Sequence, residues 1–321
     1  MNMKKLGILF SSAALGLLVC AGAAGAAQRL SIATGGTAGT YYPIGGSIAQ
    51  AVSKGNLQAT AETGNASVAN LNLVGKGEIE IVFAQNDTSF WAYNGLNMFK
   101  EAPKKNLRTV AALYPEHVQV IIAKDAKIKD INDLKGKRVS VGAAGSGVAA
   151  DVQAMFQVAK LQYTDMKIDY LDFGATTSRF KDNQIDVGFV VAGFPTASVM
   201  DLTTTKDVGL LSFSPDFLAK LSKEHPYFVP SVIPANTYRG VDKDTQTPAV
   251  MAMLVTNDKI AENVIYEFVK SMYANLDAVH ASHAAARQIT LVKALEGVTL
   301  PVHPGAAKFF KEKGLTIPDI K

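Results

Sequence analysis

Arg29–Ser53, RLSIATGGTAGTYYPIGGSIAQAVS, is where the reading of this chain begins. Leu30, Ile32 and Thr34 alternate as a strand does, and Gly35, Gly36 and Gly39 open a loop of small and hydroxyl residues that ends in Tyr41-Tyr42. Pro43 then starts a helical spacing, Ile44, Ile48, Ala49 and Val52, at the position where proline suits a first turn. A strand, a glycine loop and a helix start gather free backbone N–H groups at the positive end of a helix dipole, which suits a carboxylate or phosphate. The same unit recurs downstream. Lys137–Val141 reads as a strand, Gly142-Ala143-Ala144-Gly145-Ser146-Gly147 as the loop, and Val148, Val152, Met155, Phe156 and Ala159 as the helix. Two such units predict two α/β lobes facing one cleft.

Residues 1–27 read as a signal peptide. Lys4 and Lys5 precede an apolar run, Leu6–Cys20, and Ala24-Gly25-Ala26 or Gly25-Ala26-Ala27 offers a small-x-small cleavage site. The run is shorter than the roughly 20 residues a spanning helix needs. Acylation at Cys20 is disfavoured by the bulky Val19 before it. Cleavage removes the only cysteine and leaves a charge of +2 from the formal +4. So small and dispersed an excess excludes a nucleic-acid footprint. The remaining chain, apolar enough for two ordinary cores, is expected to be exported to the periplasm, soluble and monomeric.

Further along, Gln58–Glu62 is an expected strand, Ser67–Val74 a short helix, and Glu78–Ala84 a buried strand running into Gln85-Asn86-Asp87. Leu107–Leu113 is another strand, giving the βαβαβ order of a mostly parallel sheet. Tyr114-Pro115-Glu116-His117 interrupts before Val118–Ala123 resumes, and is expected to be the first crossing between lobes. Strands at Lys167–Leu171 and Ile185–Val191 follow, with a short helix near Ala175–Phe180. Glu78-Ile79-Glu80-Ile81-Val82-Phe83 is echoed by Gln184-Ile185-Asp186-Val187-Gly188-Phe189. Glu224–Thr247 lacks periodicity and is expected to hold the return crossing. Val250–Val255 reads as a strand, Ile260–Leu276 as an amphipathic helix, and Ala285–Leu295 and Pro304–Lys313 as helices. The organisation is then 1–27 signal peptide, 28–116 lobe one, 117–234 lobe two, and 235–321 the return crossing with the rest of lobe one.

Gly145-Ser146-Gly147-Val148-Ala149-Ala150 matches G-x-G-x-x-A after a strand, so a dinucleotide-dependent oxidoreductase is the rival reading. An export signal argues against it. No P-loop and no G-x-S-x-G occurs. His280 and His283 stand one helical turn apart but lack a further ligand at metal-site spacing, and His117, His225 and His303 sit by turns or prolines. Tyr41 and Tyr42 are either core residues at a helix start, as is expected for one of them, or aromatics of a cleft wall with a phenol left to hydrogen-bond a ligand. Asp87 either caps the turn that follows or accepts from a ligand ammonium or hydroxyl. Arg179 is either a solvated helix residue or a carboxylate clamp.

Thr34-Gly35-Gly36-Thr37-Ala38-Gly39-Thr40-Tyr41-Tyr42-Pro43-Ile44-Gly45-Gly46 closely resembles the signature of TAXI-family solute receptors, the substrate-binding subunits of one TRAP transporter class. Thr63–Asn70, Gln85-Asn86-Asp87, Asp133–Val139, Gly145-Ser146-Gly147 and Ile233–Tyr238 extend the resemblance through the rest of the chain. It implies a type II periplasmic-binding-protein fold with the ligand cleft between two lobes. It also implies capture of a small organic anion, glutamate-like or a dicarboxylate such as 2-oxoglutarate, for a sodium-driven membrane permease, with no cofactor and no catalysis. By the same resemblance, cleft contacts come from Gly39, Thr40, Tyr41 and Tyr42, from Ser67 and Asn70, from Gln85 and Asp87, and from Ser146 and Gly147. Val148 stands where the family usually has Thr, and Arg239 where Pro is common.

Overall fold

The computed structural model of this protein describes residues 28–320. The segment read as a signal peptide lies outside them. In the first lobe β1 (Gln28–Ala33), α1 (Tyr41–Val52), β2 (Leu57–Glu62), α2 (Ser67–Lys76), β3 (Ile81–Gln85) and α3 (Asn86–Asn94) alternate. β4 (Leu107–Ala123) carries the chain into the second lobe. There β5 (Arg138–Ser140), α4 (Gly147–Ala159), β6 (Lys167–Asp169), α5 (Phe173–Lys181), β7 (Val187–Ala192), α6 (Ala197–Thr205), β8 (Val208–Leu210), α7 (Pro215–Glu224) and β9 (Val229–Ile233) follow. β10 (Thr245–Asn257) returns, and α8 (Glu262–Ala274), α9 (Leu276–His280) and α10 (Pro304–Glu312) close lobe one.

The sheet order is β2-β1-β3-β10-β4-β7-β5-β6. Within it, β2-β1-β3 and β6-β5-β7 are parallel triplets, one per lobe, set on either side of the antiparallel β10–β4 pair. The two halves of the sequence echo fall in β3 and β7, the strands that pair directly with that central ribbon. β4 has 17 residues and β10 has 13. At about 3.3 Å per residue, β4 reaches far enough to serve both lobes. Each triplet is covered on both faces by helices, which explains the unbroken apolar runs IVFAQ and VGFVVA. One core cluster runs through both lobes, from Leu71 and Trp91 to Met155, Phe156 and Leu221. Separate clusters fill beneath α1, α8 and α10 in lobe one and beneath α6 in lobe two.

Several expectations are corrected. Tyr114–His117 does not interrupt a strand, because β4 is continuous. Pro115 pairs with Met251 beside a register shift between Met251 and Met253, so its missing N–H falls where the ladder is already irregular. The third strand begins at Ile81 rather than Glu78. The first helix begins at Tyr41, so Pro43 lies inside its first turn. Ala285–Leu295 forms only a 3-10 turn, Ala285–Gln288, before Ile289 becomes extended. Its backbone is drawn onto β4 instead, where the Ala112 N–H donates to the Ala294 carbonyl at 2.7 Å. α6, β8, α7 and β9 had no counterpart in the sequence reading. Among the described residues, no helix is long and apolar enough to cross a membrane.

Candidate functional site

A cavity of about 510 Å³ lies between the lobes. Five helices start on it, because the residues just before α1, α2, α3, α4 and α5 (Thr40, Ala66, Gln85, Ser146 and Asp172) all line its wall. Ser146 Oγ accepts from the Ala149 N–H at 3.1 Å and Asp172 from the Ala175 N–H at 2.8 Å. Thr40, Ala66 and Gln85 make no such side-chain cap; in α3 the Asp87 N–H goes to Asn86 Oδ1 at 3.0 Å, so the first turns left without a capping side chain are those of α1 and α2. Among the described residues, no lysine or arginine lines the cavity. Backbone dipoles at the helix starts are then the source of attraction for an anion, set against the Glu116 and Asp172 side chains on the same wall.

The lobes meet tightly around this space. The Ala69 N–H donates to the Gly145 carbonyl at 3.0 Å and the Ser198 N–H to the Ala38 carbonyl at 3.3 Å. Gln85 Nε2 donates to Asp151 Oδ2 at 2.8 Å, and a ring nitrogen of His283 meets the Pro195 carbonyl at 2.9 Å. Gly147 sits at the closest approach. A Cβ there would stand 1.6 Å from Gln85 Oε1 and 2.6 Å from Ser67 Oγ. Gly145, with φ of +76°, turns the loop into this position at no steric cost. The Gly145 loop is thus spent on closing lobe two against lobe one.

Sequence reasoning missed two of the acids, Glu116 and Asp151. Glu116 on β4 lines the cavity, is buried, and accepts from the Tyr41 hydroxyl at 2.5 Å. Burial pushes its carboxyl up to about 8, against the opposing effect of the Tyr41 hydrogen bond, with a further push from Asp87. At neutral pH it is a neutral acid with a proton to donate. Behind it lie Asp87 and Asp151, both buried completely. No ion pair involves any of the three among the described residues. The signal that could have found Glu116 is the one carboxylate in a mostly apolar run, LYPEHVQVII. Nothing local marks Asp151.

Of the residues expected at the site, Gly39, Thr40, Tyr41, Ser67, Gln85, Ser146, Gly147 and Val148 line the cavity. Tyr42, Asn70, Asp87 and Arg179 do not. Tyr42 is 37% exposed because, one position after Tyr41 on a helix, it turns outward as Tyr41 turns in. Arg179 lies exposed in the last turn of α5, whose first turn faces the cavity, so it points away from any bound ligand. Asp87 is not a wall residue: it stands in the first turn of α3, where the N–H groups of Asp87 and Thr88 approach its carboxyl as in a cap, and it faces Asp151 behind the cavity. Asn70 is a brace. Its Nδ2 donates to the Thr34 carbonyl at 2.8 Å and the Phe83 carbonyl at 2.9 Å, tying the ends of β1 and β3 where the first glycine loop begins. Asn70→Ala is expected to cost about 2–3 kcal/mol, since two bonds vanish and buried carbonyls lose their donor. Denaturant unfolding at neutral pH measures it, and wild-type stability would deny the brace. The histidines are engaged structurally. For instance, His280 and His303 meet the Ile289 and Ile260 carbonyls, and His117 meets Ser231 Oγ.

Two α/β lobes on one crossing pair of strands, with a cavity walled by helix starts, define the type II periplasmic-binding-protein fold. Residues 32–314 match the NMT1-like family, and the chain belongs to it. Similar solved structures include one of a periplasmic transporter, 12% identical over 89% of this chain and 92% of that one, with a TM-score of 0.56. A protein from Bordetella bronchiseptica RB50 is 16% identical over 91% of each chain, with a TM-score of 0.51. An alkanesulfonate-binding protein from Xanthomonas axonopodis pv. citri, bound to MOPS, is 14% identical over 79% of this chain and 72% of that one, with a TM-score of 0.47.

Proposed function

We propose that this chain is the periplasmic solute receptor of a TRAP-type transporter, a non-catalytic protein that captures a small organic anion by closing two lobes over it. The observation that carries the reading is the meeting of five helix starts at one cavity that, among the described residues, no lysine or arginine lines. Anion recognition by N–H groups favours a carboxylate that a membrane permease could receive on reopening. Within the glutamate-like or dicarboxylate class, Glu116 favours a ligand without an ammonium group, such as 2-oxoglutarate. A protonated carboxyl offers the ligand a donor, whereas an ammonium would need Glu116 ionised against its burial.

Calorimetry with 2-oxoglutarate and glutamate, alongside mass analysis of ligand carried through purification, tests this reading. Tight binding of the oxo acid supports it; a nucleotide or a cationic ligand in the purified protein would refute it. Ser146→Ala is expected to weaken anion binding about tenfold and to lower stability by about 1 kcal/mol, since the hydroxyl lines the cavity and also caps α4. Lost stability with unchanged affinity would leave Ser146 only the cap.

A further inference from the structure

We propose that Asp87 and Asp151 form a proton-binding site between the lobes, so that closing the cleft takes up a proton. The inference rests on the two-lobe receptor reading but not on which ligand is bound. Asp87 belongs to α3 of the first lobe and Asp151 to α4 of the second. Asp151 accepts from Gln85 Nε2, two positions before Asp87 in the chain, and at full burial the charge of Asp87 bears on Asp151 across the lobe contact. Two carboxylates have no hydrogen between them, so the contact attracts only when one carries a proton.

The surroundings supply no substitute for that proton. Both side chains are fully buried, and Asp151 Oδ2 takes the Gln85 amide. Apart from weak approaches by the N–H groups of Asp87 and Thr88, Asp87 Oδ1 and Oδ2 and Asp151 Oδ1 find no donor among the described residues. The titratable groups that face the pair are Glu116 from β4 and Tyr227 from the segment after α7, and neither is a cation. Burial pushes Asp87 up to about 6 and Asp151 well above the carboxylate range, with Asp87 adding its own charge to the latter effect. Opening would return each carboxyl to water, where both ionise near neutral pH. The balance is one proton bound on closing and one released on opening. Where that exchange is complete, each pH unit moves the open–closed equilibrium by about tenfold.

Small-angle scattering of the ligand-free protein between pH 5 and pH 9 tests the inference without any solute. The wild type should compact as pH falls. In Asp151→Asn the amide donates to ionised Asp87 without needing a proton, so that variant should stay compact throughout. Glu116→Gln removes the cavity acid, which itself gives up a proton near pH 8 and bears on Asp151, so in that variant the pair alone should still drive compaction between pH 7 and pH 5. A wild-type profile that ignores pH, an Asp151→Asn profile that still follows it, or compaction driven by sodium at fixed pH would each overturn the proposal. So would loss of the response in Glu116→Gln. If 2-oxoglutarate fails to bind while the pH response holds, the ligand reading falls and the proton site stands.

Discussion

Gly147→Ala is expected to hold the cleft ajar and to weaken anion capture about a hundredfold. The added Cβ falls 1.6 Å from Gln85 Oε1 and 2.5 Å from Gln85 Cδ, so Gln85 must leave its place or the lobes must stay apart. Gln85 is not free to leave. Its Oε1 accepts from Ser67 Oγ at 3.2 Å and its Nε2 donates to Asp151 at 2.8 Å. Losing a neutral bond and a bond to a carboxyl removes about 2–4 kcal/mol from the closed form, and each 1.4 kcal/mol is tenfold in affinity. Alanine is a good helix residue, so neither lobe alone should suffer. Gly46→Ala is the control, because a Cβ there meets nothing within 4 Å. Calorimetry with 2-oxoglutarate would then show the Gly147 variant far weaker than the Gly46 one. Equal affinities would mean that Gln85 yields cheaply and that Gly147 does not gate closure.

The lobe architecture was legible because its signals are local. Each lobe opens with a strand, a glycine loop and a helix start, and the echo of Glu78–Phe83 in Gln184–Phe189 marks strands that occupy matching places in the sheet. The glycine loops also gave most of the cavity wall, since an N–H-rich turn has to use small residues in sequence. What failed was decided by packing between distant segments. Pro115 argues locally for a break, yet the irregular pairing with Met251 absorbs it. Arg179 belongs to the right helix but the wrong end. Asp87 suggested a cap or a ligand contact, and its partner Asp151 stands on another lobe, 64 positions away in sequence. Glu116 lies in the very stretch read as a crossing, and only the fold places that crossing against the cavity.

Glu116 should give the protein an unusual dependence on pH, with stability rising as the solution is acidified from pH 8 towards pH 5. Its carboxyl sits at about 8 in the folded protein against an ordinary value of 4.5. Between those values the folded form holds the proton and the unfolded form has lost it, so each rise in pH favours unfolding. The contribution is fully present below about 4.5 and is lost by about 8, a difference of roughly 5 kcal/mol for so buried a group. Asp87 and Asp151 are shifted in the same direction and add to the trend. Glu116→Gln removes its share of the trend, because an amide can accept from Tyr41 and never ionises. Denaturant unfolding across this range should therefore show a much shallower pH slope in the variant. Binding separates the ligand classes by sign. An anion without an ammonium loses affinity above about pH 8 in the wild type, about tenfold per unit, as Glu116 ionises beside it. Glu116→Gln keeps the neutral-pH affinity and abolishes that loss. An ammonium-bearing ligand would do the reverse, binding better as pH rises towards 8 and failing in the glutamine variant, because its counter-charge is gone. Titrating 2-oxoglutarate and glutamate into both proteins at pH 6, 7.5 and 9 decides between them. Flat affinities for both ligands in both proteins would remove Glu116 from recognition.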